Sequence, residues 1–128
     1  MTTYLWIALG SALGGILRFW LSERTGRWFE SLLGAPQTFA FLGTVFVNVT
    51  GSFFIGFLAG LGPLPFTRQL FMIGVLGGYT TFSSFSLQTL ELAHEGRWLH
   101  AGGNVALSVA LALVAVWLGH WCGAAWRK

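Results

Sequence analysis

Charge is scarce in this chain of 128 residues: Lys, Arg, Asp and Glu together make up 9% of it, against roughly 25% in an average soluble domain. With 55% hydrophobic residues and a mean hydropathy of +0.69, lipid is the expected solvent. Cysteine is limited to Cys122, which excludes an intrachain disulfide and any thiolate metal cluster built from one chain, leaving an inert, membrane-facing thiol. Lysine is limited to Lys128, which excludes a G-x-x-x-x-G-K-[ST] phosphate loop and, with it, ATP-driven pumping by this chain. His94, His100 and His120 have neither catalytic nor metal-ligand spacing. The net charge of +3 comes from cations scattered singly between apolar runs, not from the patch a nucleic-acid binder needs. No basic n-region precedes the first apolar run and no small-residue cleavage site closes it, so it reads as a retained helix rather than a signal peptide.

What is present is apolar length. Crossing about 30 Å of hydrocarbon takes about 20 apolar helical residues, and residues 3–21, 38–61, 68–92 and 98–121 each supply such a run. Ser22 to Gln37 with Pro36, Gly62-Pro63-Leu64-Pro65 and His94-Glu95-Gly96-Arg97 read as the connectors. The expectation is an all-α membrane protein, residues 1–128 forming a single domain of four transmembrane helices. Trp6, Trp20, Trp28, Trp98, Trp117, Trp121 and Trp126 fall mainly toward the ends of the runs, which suits aromatic belts at both interfaces.

With an even number of spans, Arg68, Arg127 and Lys128 share one side, against Arg24, Arg27 and Arg97 on the other, with Arg18 near the same end of the first span. So balanced a distribution gives the insertion machinery little instruction. The expectation is dual topology, and from it an antiparallel homodimer closed about a two-fold axis in the membrane plane; a single, weakly biased orientation is the alternative. Gly10 and Gly14, and again Gly56 and Gly60, form small-xxx-small steps that let helix backbones approach closely in lipid.

Polar residues inside the spans mark the candidate site. Thr44, Asn48, Gly51 and Ser52 share one face of the second helix. Asn48 is either interhelical glue or a donor of N–H groups to a dehydrated anion. In the third span, Gly77-Gly78-Tyr79-Thr80-Thr81 is poor material for an uninterrupted helix, and a break near the middle is expected. Irregular backbone at that depth requires burial in protein or contact with water. Freed carbonyls and amides there attract cations and anions respectively, although a glycine kink for packing is the plainer reading. Beyond the break, Phe82 and Phe85 share a face and present either packing surface or positive ring edges to an anion, with the hydroxyls of Ser83 and Ser84 beside them. Asn104 and Ser108 share a face of the fourth helix. Ser108 is either a pore hydroxyl or bonded back to its own helix. Arg18, the one basic residue within a span, is placed near enough to an end to snorkel, with a vestibule role as the functional alternative.

No acidic residue stands at the centre of a span, which favours passive conduction over proton coupling. A small four-helix multidrug exporter would need a carboxylate in the first helix, where this chain has Arg18. A purely structural membrane subunit leaves the mid-span Asn, Ser and Thr residues without a purpose. Side-chain spacing goes no further than a small ion-conducting dimer with weak anion preference, since nothing in it separates fluoride from chloride.

Three stretches carry a resemblance: Gly14-Gly15-Ile16-Leu17-Arg18, Gly43-Thr44-x-x-Val47-Asn48-x-x-Gly51 and, above all, Gly77-Gly78-x-Thr80-Thr81-Phe82-Ser83-Ser84-Phe85-Ser86. Together they resemble the Fluc (CrcB-type) fluoride channels, over essentially the whole chain. The resemblance implies a dual-topology homodimer with two antiparallel pores, each drawing on both subunits, that exports fluoride down its gradient. It implies fluoride, membrane lipid and a second copy as partners. It also implies a structural sodium ion at the dimer axis, held by the backbone carbonyls of Gly77 and Thr80. By the same resemblance Phe82 and Phe85 are the pore phenylalanines, Asn48 the essential asparagine, and Ser83, Ser84 and Ser108 the hydroxyl-lined route; the residues themselves add Thr44 on the polar stripe and Arg18 at the vestibule. Gln88 departs from the glutamate that members often carry, and Ala112 from a second hydroxyl one turn after Ser108.

Overall fold

The computed structural model describes residues 1–34 and 39–127. Pro36, Gln37 and Thr38 of the expected first connector and second span, and Lys128 of the charge comparison, lie outside them. Among the described residues four helices are long and apolar enough to cross a membrane: Thr2–Leu33, Phe41–Leu61, Pro65–His94 and Trp98–Trp126.

The first helix corrects the sequence reading. It does not stop near Leu21 but runs on through the polar stretch to Leu33, for 32 residues, or roughly 48 Å at the usual rise. Hydropathy falls where a helix leaves lipid, not where it ends. Thr25 donates its hydroxyl back to the Leu21 carbonyl at 2.7 Å, and the extension packs on the start of the second helix, where a Cβ on Gly43 would collide with the Ser22 carbonyl. The helix ends at Gly34, whose φ of 65° supplies a left-handed cap. Arg18 lies in the middle of this long helix, four residues before the polar stretch begins at Ser22.

The other boundaries shift less. The third span begins at Pro65, already in the first helical turn, where a missing N–H costs nothing. The fourth helix continues to Trp126, five residues past the expected end at Trp121. Within the third span, Arg68–Leu76 is wound as a π-helix, which no sequence feature announced. Gly77–Tyr79 is helical, Thr80 (φ −84°, ψ 151°) and Thr81 (φ −147°, ψ 119°) are extended, and helix resumes over Phe82–His94.

Two glycine seams hold the helices together. Gly10 and Gly14 of the first helix meet the third span, where an added Cβ would run into the carbonyls of Leu70 and Val75, and Gly78 answers by lying against the Ser11 backbone. Gly56 and Gly60 of the second helix lie against the Val116 and His120 carbonyls of the fourth, and Gly119 and Gly123 against those of Phe53 and Phe57. The apolar core beyond these seams is small, with Phe41, Val45, Leu92 and Ala101 in one cluster and Val47, Leu76 and Tyr79 in another. All seven tryptophans are exposed, as lipid-facing rings should be.

Candidate functional site

Between the second helix, the extended residues of the third span and the fourth helix lies a cavity of about 360 Å³, lined by Asn48, Ser52, Ile55, Thr80, Thr81, Phe82, Phe85, Ser108, Val109, Ala112 and Leu113. None of these side chains carries a charge, so any polarity the cavity offers comes from amides, hydroxyls and ring edges.

Asn48 is fixed at both ends of its carboxamide. Its Nδ2 donates to the Thr81 carbonyl at 2.9 Å, and its Oδ1 accepts the Thr81 N–H at 2.7 Å. The side chain thus replaces the helical partners that the extended backbone gives up, which a buried peptide group requires. One N–H of the amide is occupied and one remains. Because the Thr81 N–H turns to Asn48, it is not available to the Gly77 carbonyl one helical turn earlier. The next carbonyl, that of Gly78, accepts from Arg18 Nε at 3.3 Å. Arg18 therefore stands against the middle of the third span and is absent from the cavity lining.

Thr81 has a further part in starting the resumed helix, where its Oγ1 accepts the Ser84 N–H at 3.1 Å. The Ser83 and Ser84 hydroxyls gather around the same oxygen at 3.1 and 3.2 Å and do not border the cavity. Thr44, 4% exposed, is packed inside the protein a turn away from it. The rings of Phe82 and Phe85 lie 5.1 Å apart with planes tilted by 53°; Phe85 is buried, whereas Phe82 is 76% exposed at the cavity's open side. Ser108 donates to Asn104 Oδ1 at 3.2 Å, and Asn104 reaches across to the resumed helix, donating to Thr89 Oγ1 at 2.9 Å. Gln88 lies elsewhere, beside a hollow of about 90 Å³ shared with Glu91, Glu95 and Arg97, while Ala112 leaves the cavity wall apolar where a hydroxyl would add a donor.

The structure thus brings Asn48, Thr80, Phe82, Phe85 and Ser108 to one cavity and leaves Arg18, Thr44, Gly77, Ser83 and Ser84 outside its lining. Sequence reasoning missed two residues. Thr81 acts mainly through backbone atoms; its side-chain signal was the helix-capping pattern of a Thr three residues before Ser84. Asn104, placed on the face of Ser108 by its spacing, gave no sign of the helix it bridges to.

Four apolar spans, three of which border an uncharged cavity, define a multi-pass membrane protein. The family described as CrcB-like protein, Camphor Resistance (CrcB), matches residues 5–120, and the chain belongs to that family. It is 49% identical to the Fluoride-specific ion channel FluC of Methylocella silvestris, with 91% of this chain and 89% of the relative covered. It is 52% identical to the proteins of the same name from Rhodospirillum rubrum, over 92% of each chain, and from Opitutus terrae, over 94% and 91%. The relatives are ion channels, and this chain is likewise not an enzyme but a multi-pass protein of the bacterial cell membrane.

Proposed function

We propose that this chain is a fluoride-selective ion channel that conducts fluoride passively out across the cytoplasmic membrane and so lowers the toxicity of fluoride inside. The observation that carries the reading is the Asn48 carboxamide, held at both ends by Thr81 on an uncharged cavity. A small, strongly hydrated anion gives up its water only where donors replace it. The remaining N–H of Asn48 and the positive edges of Phe82 and Phe85 are such donors, while the Thr80 and Ser108 hydroxyls on the same wall give their protons to the Leu76 carbonyl and to Asn104 Oδ1. No lining side chain places a negative charge against the ion, and the relatives named Fluoride-specific ion channel FluC supply the identity of the anion.

Two copies inserted in opposite directions pair as a dual-topology homodimer with two antiparallel pores. The balance of Arg68 and Arg127 on one side against Arg24, Arg27 and Arg97 on the other supports insertion both ways. The exposure of Phe82 supports closure of each cavity by the second copy. Ser83, Ser84 and Thr44 continue the polar route beyond the cavity, and Arg18, held by Gly78, draws anions to the vestibule.

The residues present suit a sodium ion at the break. The Gly77 carbonyl loses its helical donor to Asn48 and Thr80 is outside the helix, so both offer free hard oxygens, the ligand type an alkali cation takes. Among the described residues no group of three or more His, Cys, Asp and Glu could hold a metal instead. Bound there, sodium would supply a fixed positive charge at the two-fold axis.

Reconstitution in liposomes loaded with fluoride or chloride, under a potassium diffusion potential, tests the reading by ion-selective electrode. Rapid release of fluoride with chloride retained is expected; release of neither overturns it.

A further inference from the structure

Asn104 is entirely enclosed, with 0% exposure, and the direction of every hydrogen bond it makes can be deduced. The Phe85 carbonyl only accepts, so Thr89 Oγ1, 2.7 Å away, gives its proton to it. Thr89 therefore meets Asn104 as an acceptor at 2.9 Å, which requires the amide nitrogen on that side, and the same nitrogen lies 3.4 Å from the Phe85 carbonyl. The amide oxygen is thereby turned to Ser108, whose hydroxyl must donate to it at 3.2 Å. Ser108 borders the cavity, so it turns its proton away from the cavity and leaves its lone pairs facing in. An anion entering there meets an acceptor where the residue type suggested a donor.

We propose that Asn104 is a specificity-determining residue for the conduction path, acting through Ser108: it holds the Ser108 proton so that only an anion accepting hydrogen bonds more strongly than an amide oxygen draws it into the cavity. The inference rests on the fluoride-channel reading above. Each ion that recruits Ser108 leaves the Asn104 oxygen buried without a partner, which is costly in so enclosed a site. Fluoride, compact and with concentrated charge, overcomes that cost by forming a short charge-assisted bond. Chloride, larger and more diffuse, gains less from the exchange, so Ser108 stays turned away and the ion loses a ligand. Thr89 and the Phe85 carbonyl belong to the device because together they keep the amide nitrogen on their side and the oxygen toward Ser108.

The test measures the ratio of chloride to fluoride release from liposomes for Asn104→Leu and Asn104→Ala, each with and without Ser108→Ala. Freeing the Ser108 proton in either variant should raise the ratio about tenfold, and adding Ser108→Ala should remove the rise. Asn104→Ala removes the same acceptor with a side chain that cannot clash, and position 104 is outside the cavity lining, so it carries the test alone if Asn104→Leu does not fold. An unchanged ratio in conducting variants overturns the inference, as does a rise that persists without Ser108, which is the mark of a structural leak. A wild-type protein that releases no fluoride sinks the channel reading and this inference with it, whereas a conducting wild type with unaltered variants sinks the inference alone.

Discussion

The second and fourth helices meet in two ways along their length. At Gly56, Gly60, Gly119 and Gly123 backbone lies on backbone, and a Cβ at any of the four would collide with a carbonyl of the facing helix. Toward the other end, Asn48, Ser52 and Ile55 face Ser108, Val109, Ala112 and Leu113 across a cavity. Lipid gives apolar surface no reason to leave it, so helix association depends on close van der Waals contact and on hydrogen bonds between spans. The glycine seam provides the first without any room for a solute. The cavity end relies on the second, through the clamp on Asn48 and the bridge at Asn104, and its polar groups surround an empty volume. A tight seam beside a hollow lets one helix pair be locked at one end and open to a polar cavity at the other.

The comparison is broken most severely at the polar end. In Asn48→Asp one oxygen still accepts the Thr81 N–H, but the other stands where Nδ2 now donates to the Thr81 carbonyl at 2.9 Å, and a fixed negative charge borders the cavity. At 4 Å and an effective dielectric of 20, that charge opposes an anion by about 4 kcal/mol. Fluoride flux should fall by at least about a hundredfold while gel filtration still gives the folded species. Wild-type flux from this variant would remove Asn48 from the pathway.

The seam end should respond in stability instead. Gly119→Val drives a branched side chain into the Phe53 carbonyl, and overpacking of this kind costs about 3 kcal/mol. Gly102, on the same helix, has nothing within 4 Å of an added Cβ, so Gly102→Ala should be neutral or stabilising by up to about 1 kcal/mol. Thermal unfolding in detergent checks both, and equal effects at the two glycines would mean that the seam is not where the helices are held.

The four spans were legible because apolar length is dictated by the thickness of lipid, which a single sequence records faithfully. The end of the first helix was not, because residues 22–33 are polar for water's sake and still helical. Half of each glycine seam was legible. Gly10 and Gly14 announce a close approach but not its partner, which proves to be the region of Gly74 and Gly78; likewise Gly56 and Gly60 do not name Gly119 and Gly123. At the site, Asn48, Phe82, Phe85 and Ser108 stand out by residue type, whereas the clamp on Asn48 uses the backbone of Thr81, and backbone atoms leave no mark in a sequence. The extended residues are the threonines, while Gly77 and Gly78 remain helical and Gly78 serves instead to let the Ser11 backbone approach.

The smallest effect separates the two parts that Thr81 plays. Thr81→Val removes the hydroxyl that accepts the Ser84 N–H at 3.1 Å and gathers the Ser83 and Ser84 hydroxyls, but it leaves intact the peptide N–H and carbonyl that hold Asn48. Valine is also at ease in the extended backbone of residue 81. Loss of a helix cap costs about 1 kcal/mol, so thermal stability should drop slightly and fluoride flux should change by less than about threefold. If flux instead collapsed as in Asn48→Asp, the start of the resumed helix, rather than the clamp on Asn48, would be what holds the cavity in its conducting shape.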